Sequence, residues 1–159
     1  MFFLSNALKN CVWIGATKEI VSPVILRRFN AEGVIKATLT ITGLGYFEAK
    51  LNGNAVTDYM YLPVVSDYEP RDLSLCAHKN TVGTTTNRIY YYNFDITNLL
   101  NGGENTLSIQ LGNGFYKQEE RKAEGILSFG DRLKCIYKIV IETEKNTIEL
   151  IYYITKLNF

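Results

Sequence analysis

The sequence contains one histidine, His78, and one tryptophan, Trp13. One imidazole cannot build a zinc site unless carboxylates or thiols fold back onto it, and no Asp, Ser or Cys near His78 is arranged as a catalytic triad. The sequence also lacks an Asp-rich loop of the EF-hand kind and a Gly-rich phosphate loop that ends in Lys. We therefore expect no metal site and no cofactor. Trp13 lies among Val and Ile residues, which favours a place in the core over a sugar platform.

Cysteines are few, and Cys11, Cys76 and Cys135 lie far apart in no spacing typical of a metal site. Their odd number argues against a disulfide framework and favours a reducing compartment. The N-terminus has no basic segment followed by a long apolar core, so it does not have the pattern of a signal peptide. The sequence leaves the localisation unknown, and these two observations favour the cytoplasm.

Neither sign of charge is in excess, and long apolar runs are absent. Seventeen Lys and Arg residues against sixteen Asp and Glu residues give a formal net charge of +1, without a basic block or an acidic tail. Such a distribution does not attract a phosphate backbone or an anionic lipid surface over a distance. No stretch approaches the roughly eighteen apolar residues of a membrane-spanning helix. The sequence therefore predicts no nucleic acid and no membrane as partners.

The main pattern that is present is an alternation of apolar and polar residues. It runs from Ala37 to Leu51 and is interrupted once, at Gly43 and Gly45. A period of two is the signature of half-buried strands. The next two residues, Asn52-Gly53, supply the two positive-φ positions of a tight hairpin turn. This stretch predicts a strand, a bend at the glycines, a second strand and a hairpin reversal.

The same alternation recurs along the chain and predicts about eight to ten short strands, with no helical apolar spacing over three turns. Residues 95–100 have the pattern of a single helical turn that stops at glycine. Short alternating strands separated by turns predict one all-β domain over residues 1–159, an antiparallel two-sheet β-sandwich of the jelly-roll kind. The predicted core residues are Leu39, Ile41, Phe47, Leu51, Tyr92, Phe94, Leu107, Ile109, Ile139 and Leu150.

Several separate blocks of the sequence resemble one known family. The first is I-T-G-L-G-Y-F-E-A-K-L-N-G-N-A-V-T-D, from Ile41 to Asp58; others are D-I-T-N-L-L with the following G-E-N, then G-N-G-F-Y, and finally F-G-D-R. Together they resemble the N-terminal accessory domain of bacterial α-L-rhamnosidases over nearly the whole chain. The resemblance implies a galactose-binding-domain-like sandwich that is a module or a fragment of a larger enzyme.

The resemblance also implies that this chain contains no catalytic residues. In rhamnosidases the acid and the base of glycoside hydrolysis lie in a large helical barrel that 159 residues cannot contain, and no pair of carboxylates can be singled out here by spacing. The implied function is a carbohydrate-recognition or substrate-positioning module whose parent reaction is the hydrolysis of terminal α-L-rhamnosides. Its expected partners are a rhamnose-containing glycan or glycoside and the catalytic barrel of the parent enzyme.

Two loops carry the family-like polar and aromatic groups, and we expect them to lie near each other at one end of the sandwich. One loop contains Asp67, Tyr68 and Arg71, and the other contains Asn113 and Tyr116. Asp67 would accept hydrogen bonds from vicinal hydroxyls, and Arg71 would donate to the sugar or orient Asp67. Either tyrosine would offer a ring for stacking. These five residues are the predicted carbohydrate-binding site.

Two alternatives remain open at the level of the sequence. The family pattern has a tryptophan where this chain has Val65, and an aromatic ring is the usual stacking surface for a sugar. The missing ring favours a purely structural domain that packs against the barrel and binds no sugar, in which the same loop groups tie the two loops together. The second alternative is an unrelated adhesion-type sandwich.

Overall fold

The computed structural model describes residues 6–16, 20–64, 68, 71–72, 84–85, 89–118 and 129–151, with residues 71–72 and 84–85 described by their backbone alone. This part of the chain forms eleven β-strands and two 3-10 turns, Asn6–Leu8 and Thr97–Leu99, and none of its helices is long and apolar enough to cross a membrane. The strands are β1 (Ile14–Gly15), β2 (Val24–Ala31), β3 (Val34–Leu44), β4 (Tyr46–Leu51), β5 (Asn54–Ala55), β6 (Arg71–Asp72), β7 (Thr84–Thr85), β8 (Tyr92–Asp95), β9 (Gly103–Gly112), β10 (Lys134–Thr143) and β11 (Thr147–Ile151).

Two antiparallel sheets contain nine of these strands. The first sheet has the order β1-β10-β3-β8, and β11 also pairs with β10. The second sheet has the order β2-β9-β4-β5, and among the described residues β6 and β7 form a separate two-stranded sheet. The two sheets pack around a shared apolar core, which confirms the predicted all-β sandwich. The jelly-roll connectivity and the extent of the domain over residues 1–159 stay predictions.

The bend between β3 and β4 transfers the chain from one sheet to the other. Gly45, at φ 93°, sits at this corner, and a Cβ there would overlap the carbonyl oxygen of Gly112. Only glycine combines this backbone conformation with such close packing. One continuous stretch therefore contributes a strand to each side of the core, and the bend lies at the glycines where the sequence predicts it.

The core between the sheets contains the residues predicted for it. Seven of the ten predicted side chains are buried, and Tyr92, Phe94 and Leu150 are partly buried against the same core. These three lie on β8 and β11, which are edge strands, so one side of each side chain stays accessible to solvent. The buried seven are Leu39, Ile41, Phe47, Leu51, Leu107, Ile109 and Ile139.

Strand β10 departs from the predicted alternation. Cys135, Ile136 and Tyr137 are buried in succession, although a strand with one solvent face alternates. The second face is covered because the N-terminal segment brings Leu8 and Cys11 against Ile136. Both faces of the first half of β10 are therefore covered.

The turn after β4 has the conformation that its sequence predicts. Asn52 and Gly53 have φ values of 53° and 85°, and β5 pairs back onto β4 through Leu51 and Asn54. The Asn52 amide donates to the carbonyl oxygen of Thr106 (2.9 Å), and the Asn52 side-chain oxygen accepts from the Thr106 amide (2.9 Å). Asn52 thus extends the pairing of β4 with β9 by one residue while it turns the chain.

A buried asparagine, Asn105, joins this turn to the loop before β9. Its Oδ1 accepts from Nδ2 of Asn52 (2.7 Å) and from the amide of Asn101 (2.8 Å). Its Nδ2 donates to the carbonyl oxygens of Asn101 (3.0 Å) and Gly103 (2.8 Å). All four hydrogen-bonding positions of the side chain are used, as a polar group that is only 1% exposed requires.

The predicted helical turn is the 3-10 turn Thr97–Leu99, and side chains fix its start. Oδ1 of Asp95 accepts from the Thr97 amide (3.0 Å) and the Thr97 hydroxyl (2.6 Å). These two hydrogen bonds lower the pKa of Asp95, the hydroxyl contributing most. The Thr97 hydroxyl oxygen in turn accepts from the amide of Ala37 in β3 (2.9 Å). The turn is therefore attached to the first sheet.

We expect the substitution Asn105→Ala to destabilise the chain by about 3 kcal/mol, because it leaves buried donors and acceptors of three residues without partners. Urea-unfolding measurements would give the free energy of unfolding. Asn101→Ala is the matched control, since its side chain is exposed and Asn101 enters the network through its backbone. Equal loss of stability in the two variants would contradict the network's role.

Candidate functional site

Three aromatic rings from three sequence blocks meet at one place. The rings of Tyr68 and Tyr116 are in edge contact with centroids 5.0 Å apart, and Tyr68 also contacts Phe129 at 5.2 Å. The amide of Phe129 donates to the carbonyl oxygen of Tyr116 (2.9 Å). The two loops predicted to carry a sugar site therefore do approach each other, through Tyr68 and Tyr116.

Both tyrosines are buried rather than presented to solvent. Tyr68 is 8% exposed and Tyr116 is 7% exposed, and both belong to the main core. A ring that stacks on a sugar must offer an open face, so this geometry favours the structural role for these two side chains. Burial raises the pKa of Tyr116, and the nearby charge of Asp131 raises it further. The Tyr116 hydroxyl is therefore neutral at physiological pH.

Gly130 makes the close packing of Tyr116 possible. A Cβ at position 130 would overlap both the ring and the hydroxyl of Tyr116. The F-G-D-R block thus contacts the tyrosine of the G-N-G-F-Y block through the Phe129 amide, leaves space for it at Gly130 and places the charge of Asp131 near it, while the Phe129 ring contacts Tyr68. The resemblance between sequence blocks corresponds here to a physical contact.

The remaining predicted site residues are placed less completely. Asn113 is half-buried in the turn after β9, and its carbonyl oxygen accepts from the Lys117 amide (3.2 Å). Arg71 is described by its backbone alone, which pairs with Thr85. Asp67 lies outside the described residues, as do His78 and Val65. The structure therefore brings together Tyr68 and Tyr116, and the sugar-binding role of the five residues stays a prediction.

The sequence reasoning missed an exposed aromatic surface. We define it as the exposed rings of Tyr59, Tyr61 and Phe115 together with the half-buried ring of Tyr46. Tyr61 is 64% exposed, and its ring contacts Tyr46 at 5.5 Å; Tyr46 in turn adjoins Gly114, the residue before Phe115. A signal was present in the sequence, because Y-M-Y-L-P places two tyrosines in a turn region before a proline. We take this surface as a candidate binding surface.

Hydrogen bonds at Leu62 and Val64 hold the end of the loop that carries Tyr59 and Tyr61. The Phe47 amide donates to the carbonyl oxygen of Leu62 (2.6 Å), and the Val64 amide donates to the Tyr92 hydroxyl (3.1 Å). Tyr61 adopts φ 59°, a conformation uncommon for a residue with a Cβ. Residues held in such conformations occur where the surrounding structure imposes them, and they cluster at binding sites.

The described residues offer no metal site and no activated thiol. They contain no group of three or more His, Cys, Asp or Glu side chains that could hold a metal ion. Cys11 and Cys135 are free but buried, and burial raises the pKa of both, to about 12 for Cys135. A thiol with such a pKa is not a nucleophile at neutral pH.

Comparisons with known proteins agree on one family. The model of the family described as the alpha-L-rhamnosidase N-terminal domain matches residues 32–75 and 80–157. A curated relative, the alpha-L-rhamnosidase of Formosa agariphila, is 42% identical over 85 residues, which cover 54% of this chain and 7% of that protein. The chain thus spans a small part of the length of this relative.

Solved structures are similar in fold. The native α-L-rhamnosidase of Aspergillus terreus matches 91% of this chain and 16% of its own, at 21% identity and a TM-score of 0.72. An α-L-rhamnosidase of Streptomyces avermitilis in complex with L-rhamnose matches 82% of this chain and 11% of its own, at 22% identity and a TM-score of 0.64. At these identities the likeness shows the fold alone.

We expect Gly130→Ala to destabilise the chain by about 1 to 3 kcal/mol, because the new methyl group overlaps a buried ring that has little room to move. Gly102→Ala is the matched control, since a Cβ at position 102 meets nothing within 4 Å. Thermal unfolding of both variants and the parent chain would measure the difference. A Gly130→Ala protein as stable as Gly102→Ala would refute the packing argument.

Proposed function

This chain belongs to the family of α-L-rhamnosidase N-terminal domains, and on that premise we propose that it recognises carbohydrate and positions substrate for an α-L-rhamnosidase. Its ligand is a rhamnose-containing glycan or glycoside, and the parent reaction is the hydrolysis of terminal α-L-rhamnosides. The catalytic barrel of the parent enzyme is the second partner. The domain itself carries out no bond cleavage and has the galactose-binding-like jelly roll implied by its family.

The observation that carries this proposal is the exposed aromatic surface. Tyrosine rings present an apolar face and a hydroxyl edge, which together suit a sugar ring with apolar C–H groups and polar hydroxyls. Tyr59 and Tyr61 are 76% and 64% exposed, and Tyr46 adjoins the turn that carries Asn113 and Phe115. Polar groups beside rings are what a polyhydroxylated ligand requires. Two residues of the predicted site flank Phe115 of this surface in the sequence, Asn113 two positions before it and Tyr116 directly after it.

The lack of catalysis is part of the proposal. A glycosidase holds two carboxyl groups roughly 5 to 9.5 Å apart across the scissile bond, one of them protonated through a raised pKa. Asp95, by contrast, is fully exposed and has its pKa lowered by the Thr97 hydroxyl and amide, so it is ionised at neutral pH. It serves to fix a turn rather than to donate a proton.

A second candidate function, packing against the catalytic barrel without binding sugar, is favoured by a different surface. Val24 and Leu26 are exposed at the start of β2, which is an edge strand of the second sheet, and Val21 is exposed in the segment before it. Aliphatic side chains with no polar end suit a protein surface better than a sugar. The two roles use different surfaces, so one protein can perform both.

We expect the 159-residue chain to be retained by immobilised L-rhamnose and eluted by free L-rhamnose, because the exposed rings are available without the barrel. The same matrix without sugar is the control for non-specific adhesion. Equal passage through both matrices would overturn carbohydrate recognition and leave the packing role as the function.

We expect the purified chain to release no product from aryl α-L-rhamnosides above a heat-treated sample, since acid and base must flank one glycosidic bond. The measurement is the absorbance of the released aryl group over many hours at several protein concentrations. Activity that follows the protein through successive purification steps would overturn its assignment as a non-catalytic domain.

A further inference from the structure

Asn-Gly dipeptides occur at three places in the sequence, Asn52-Gly53, Asn101-Gly102 and Asn113-Gly114. Such a pair is open to spontaneous deamidation, because glycine has no side chain to obstruct its own amide nitrogen. That nitrogen forms a bond to Cγ of the asparagine, the bond from Cγ to Nδ2 breaks, and Nδ2 leaves as ammonia with the amide proton. A water molecule then hydrolyses the resulting succinimide ring. Cleavage at the side-chain carbonyl gives aspartate, and cleavage at the main-chain carbonyl gives isoaspartate.

The side chain of Asn52 is held in place by hydrogen bonds. Its Nδ2 donates to the carbonyl oxygen of Leu99 (2.9 Å) and to Oδ1 of Asn105 (2.7 Å), and its Oδ1 accepts from the Thr106 amide (2.9 Å). Because Nδ2 is the leaving group, both of its hydrogen bonds are lost during the reaction. The buried network therefore opposes deamidation of Asn52.

The pair Asn113-Gly114 is half-buried in the turn after β9. The carbonyl oxygen of Asn113 accepts from the Lys117 amide (3.2 Å), and Gly114 has φ 52°. A Cβ at position 114 would lie 3.3 Å from the main-chain nitrogen and the ring of Tyr46. This close packing limits both the rotation of the main chain and the approach of water, so Asn113 is partly protected.

The pair Asn101-Gly102 has what the reaction requires. Both residues are exposed to water, and a Cβ at position 102 would meet nothing within 4 Å. Asn105 binds only the main-chain amide (2.8 Å) and carbonyl oxygen (3.0 Å) of Asn101. In the part of the chain that the structure describes, no hydrogen bond engages the Asn101 side chain or the Gly102 amide. The side chain is therefore free to turn toward the Gly102 nitrogen.

We propose that Asn101 is the residue at which the folded chain deamidates and isomerises, and that the Asn105 network protects Asn52 from the same reaction. The product has a carboxylate where the asparagine has a neutral amide. One such event lowers the formal net charge of the chain from +1 to zero.

Isomerisation at this surface residue also affects the buried network. Asn105 binds the main-chain amide and the carbonyl oxygen of Asn101, whose spacing is that of one normal residue. In isoaspartate the chain continues to Gly102 through the side chain and is one methylene longer, and the former main-chain carbonyl becomes a free carboxylate. The loop before β9 must rearrange to keep the hydrogen bonds of Asn105. The isoaspartate form is therefore less stable than the parent chain.

The test compares deamidation in the folded and unfolded states of the 159-residue chain. One sample is kept in mildly alkaline buffer below its unfolding temperature, and a second is kept in concentrated urea. Cleavage after Lys and Arg places Asn52 in residues 51–71 and the other two in residues 89–117, where fragment ions in mass spectrometry separate Asn101 from Asn113.

We expect similar deamidation rates for the three asparagines in urea, because all three precede glycine. In the folded chain we expect Asn52 to react about tenfold or more slowly than Asn101, since its hydrogen bonds raise the barrier, with Asn113 between them. Equal rates for Asn52 and Asn101 in the folded chain would overturn the protection. A folded chain that does not react at Asn101 while the urea sample does would overturn the site.

Two variants test the chemistry and the protection separately. Gly102→Ala places a methyl group beside the attacking nitrogen and is expected to slow the reaction at Asn101 about tenfold, without loss of stability. An unchanged rate would overturn the attack by this amide. Asn105→Ala removes one partner of the Asn52 side chain and is expected to speed deamidation there. The comparison within the parent chain tests the protection even if Asn105→Ala does not fold.

A charge control isolates the effect of the longer main chain. Asn101→Asp carries the new carboxylate on a normal main chain, whereas the deamidated parent chain, separated by ion exchange, contains isoaspartate. We expect the isoaspartate form to unfold at a lower temperature than Asn101→Asp. Equal unfolding temperatures would overturn the effect on the Asn105 network.

Discussion

The hydrogen bond between Asn52 and Asn105 is the interaction on which most of the second sheet depends. It joins the turn at the end of β4 to the loop that begins β9, and each asparagine also binds backbone groups of its neighbours. β9 is the central strand that pairs with both β2 and β4. Its register is thus fixed at the end where the network lies, and the L-N-G and G-E-N blocks of the sequence meet in one contact.

Much of the fold could be predicted because alternation of apolar residues reports which face of a strand is buried. Leu39, Ile41, Leu107 and Ile109 are buried for this reason. Ile136 could not be predicted, because its burial depends on Leu8 and Cys11, which reach it from a distant part of the chain. The glycine bend was predicted, but the placement of β3 and β4 in different sheets was not, since local sequence does not specify the partner of a strand.

The proximity of the two predicted loops could be read from the sequence, but the orientation of their aromatic rings could not. The sequence blocks indicated that the loops of Tyr68 and Tyr116 meet, and they do. A sequence motif does not indicate whether an aromatic side chain faces solvent or the core. Here the absence of a side chain at Gly130 leaves the space in which Tyr116 is buried. The two most exposed rings, those of Tyr59 and Tyr61, lie in a less regular segment, where no alternation indicates a buried face.

The attachment of the segment after β5 has a consequence for solubility. β5 is only two residues long, so most of the outer edge of β4 would carry free amide and carbonyl groups. Such an edge invites strand addition by other molecules and hence aggregation. The hydrogen bonds from the Val56 amide to Ala49 and from the Phe47 amide to Leu62 occupy this edge, while residues 57–61 lie between the two attachment points. Shortening residues 57–61 would therefore extend the pairing along β4 into a longer, flatter sheet edge, which is the kind of edge that invites strand addition.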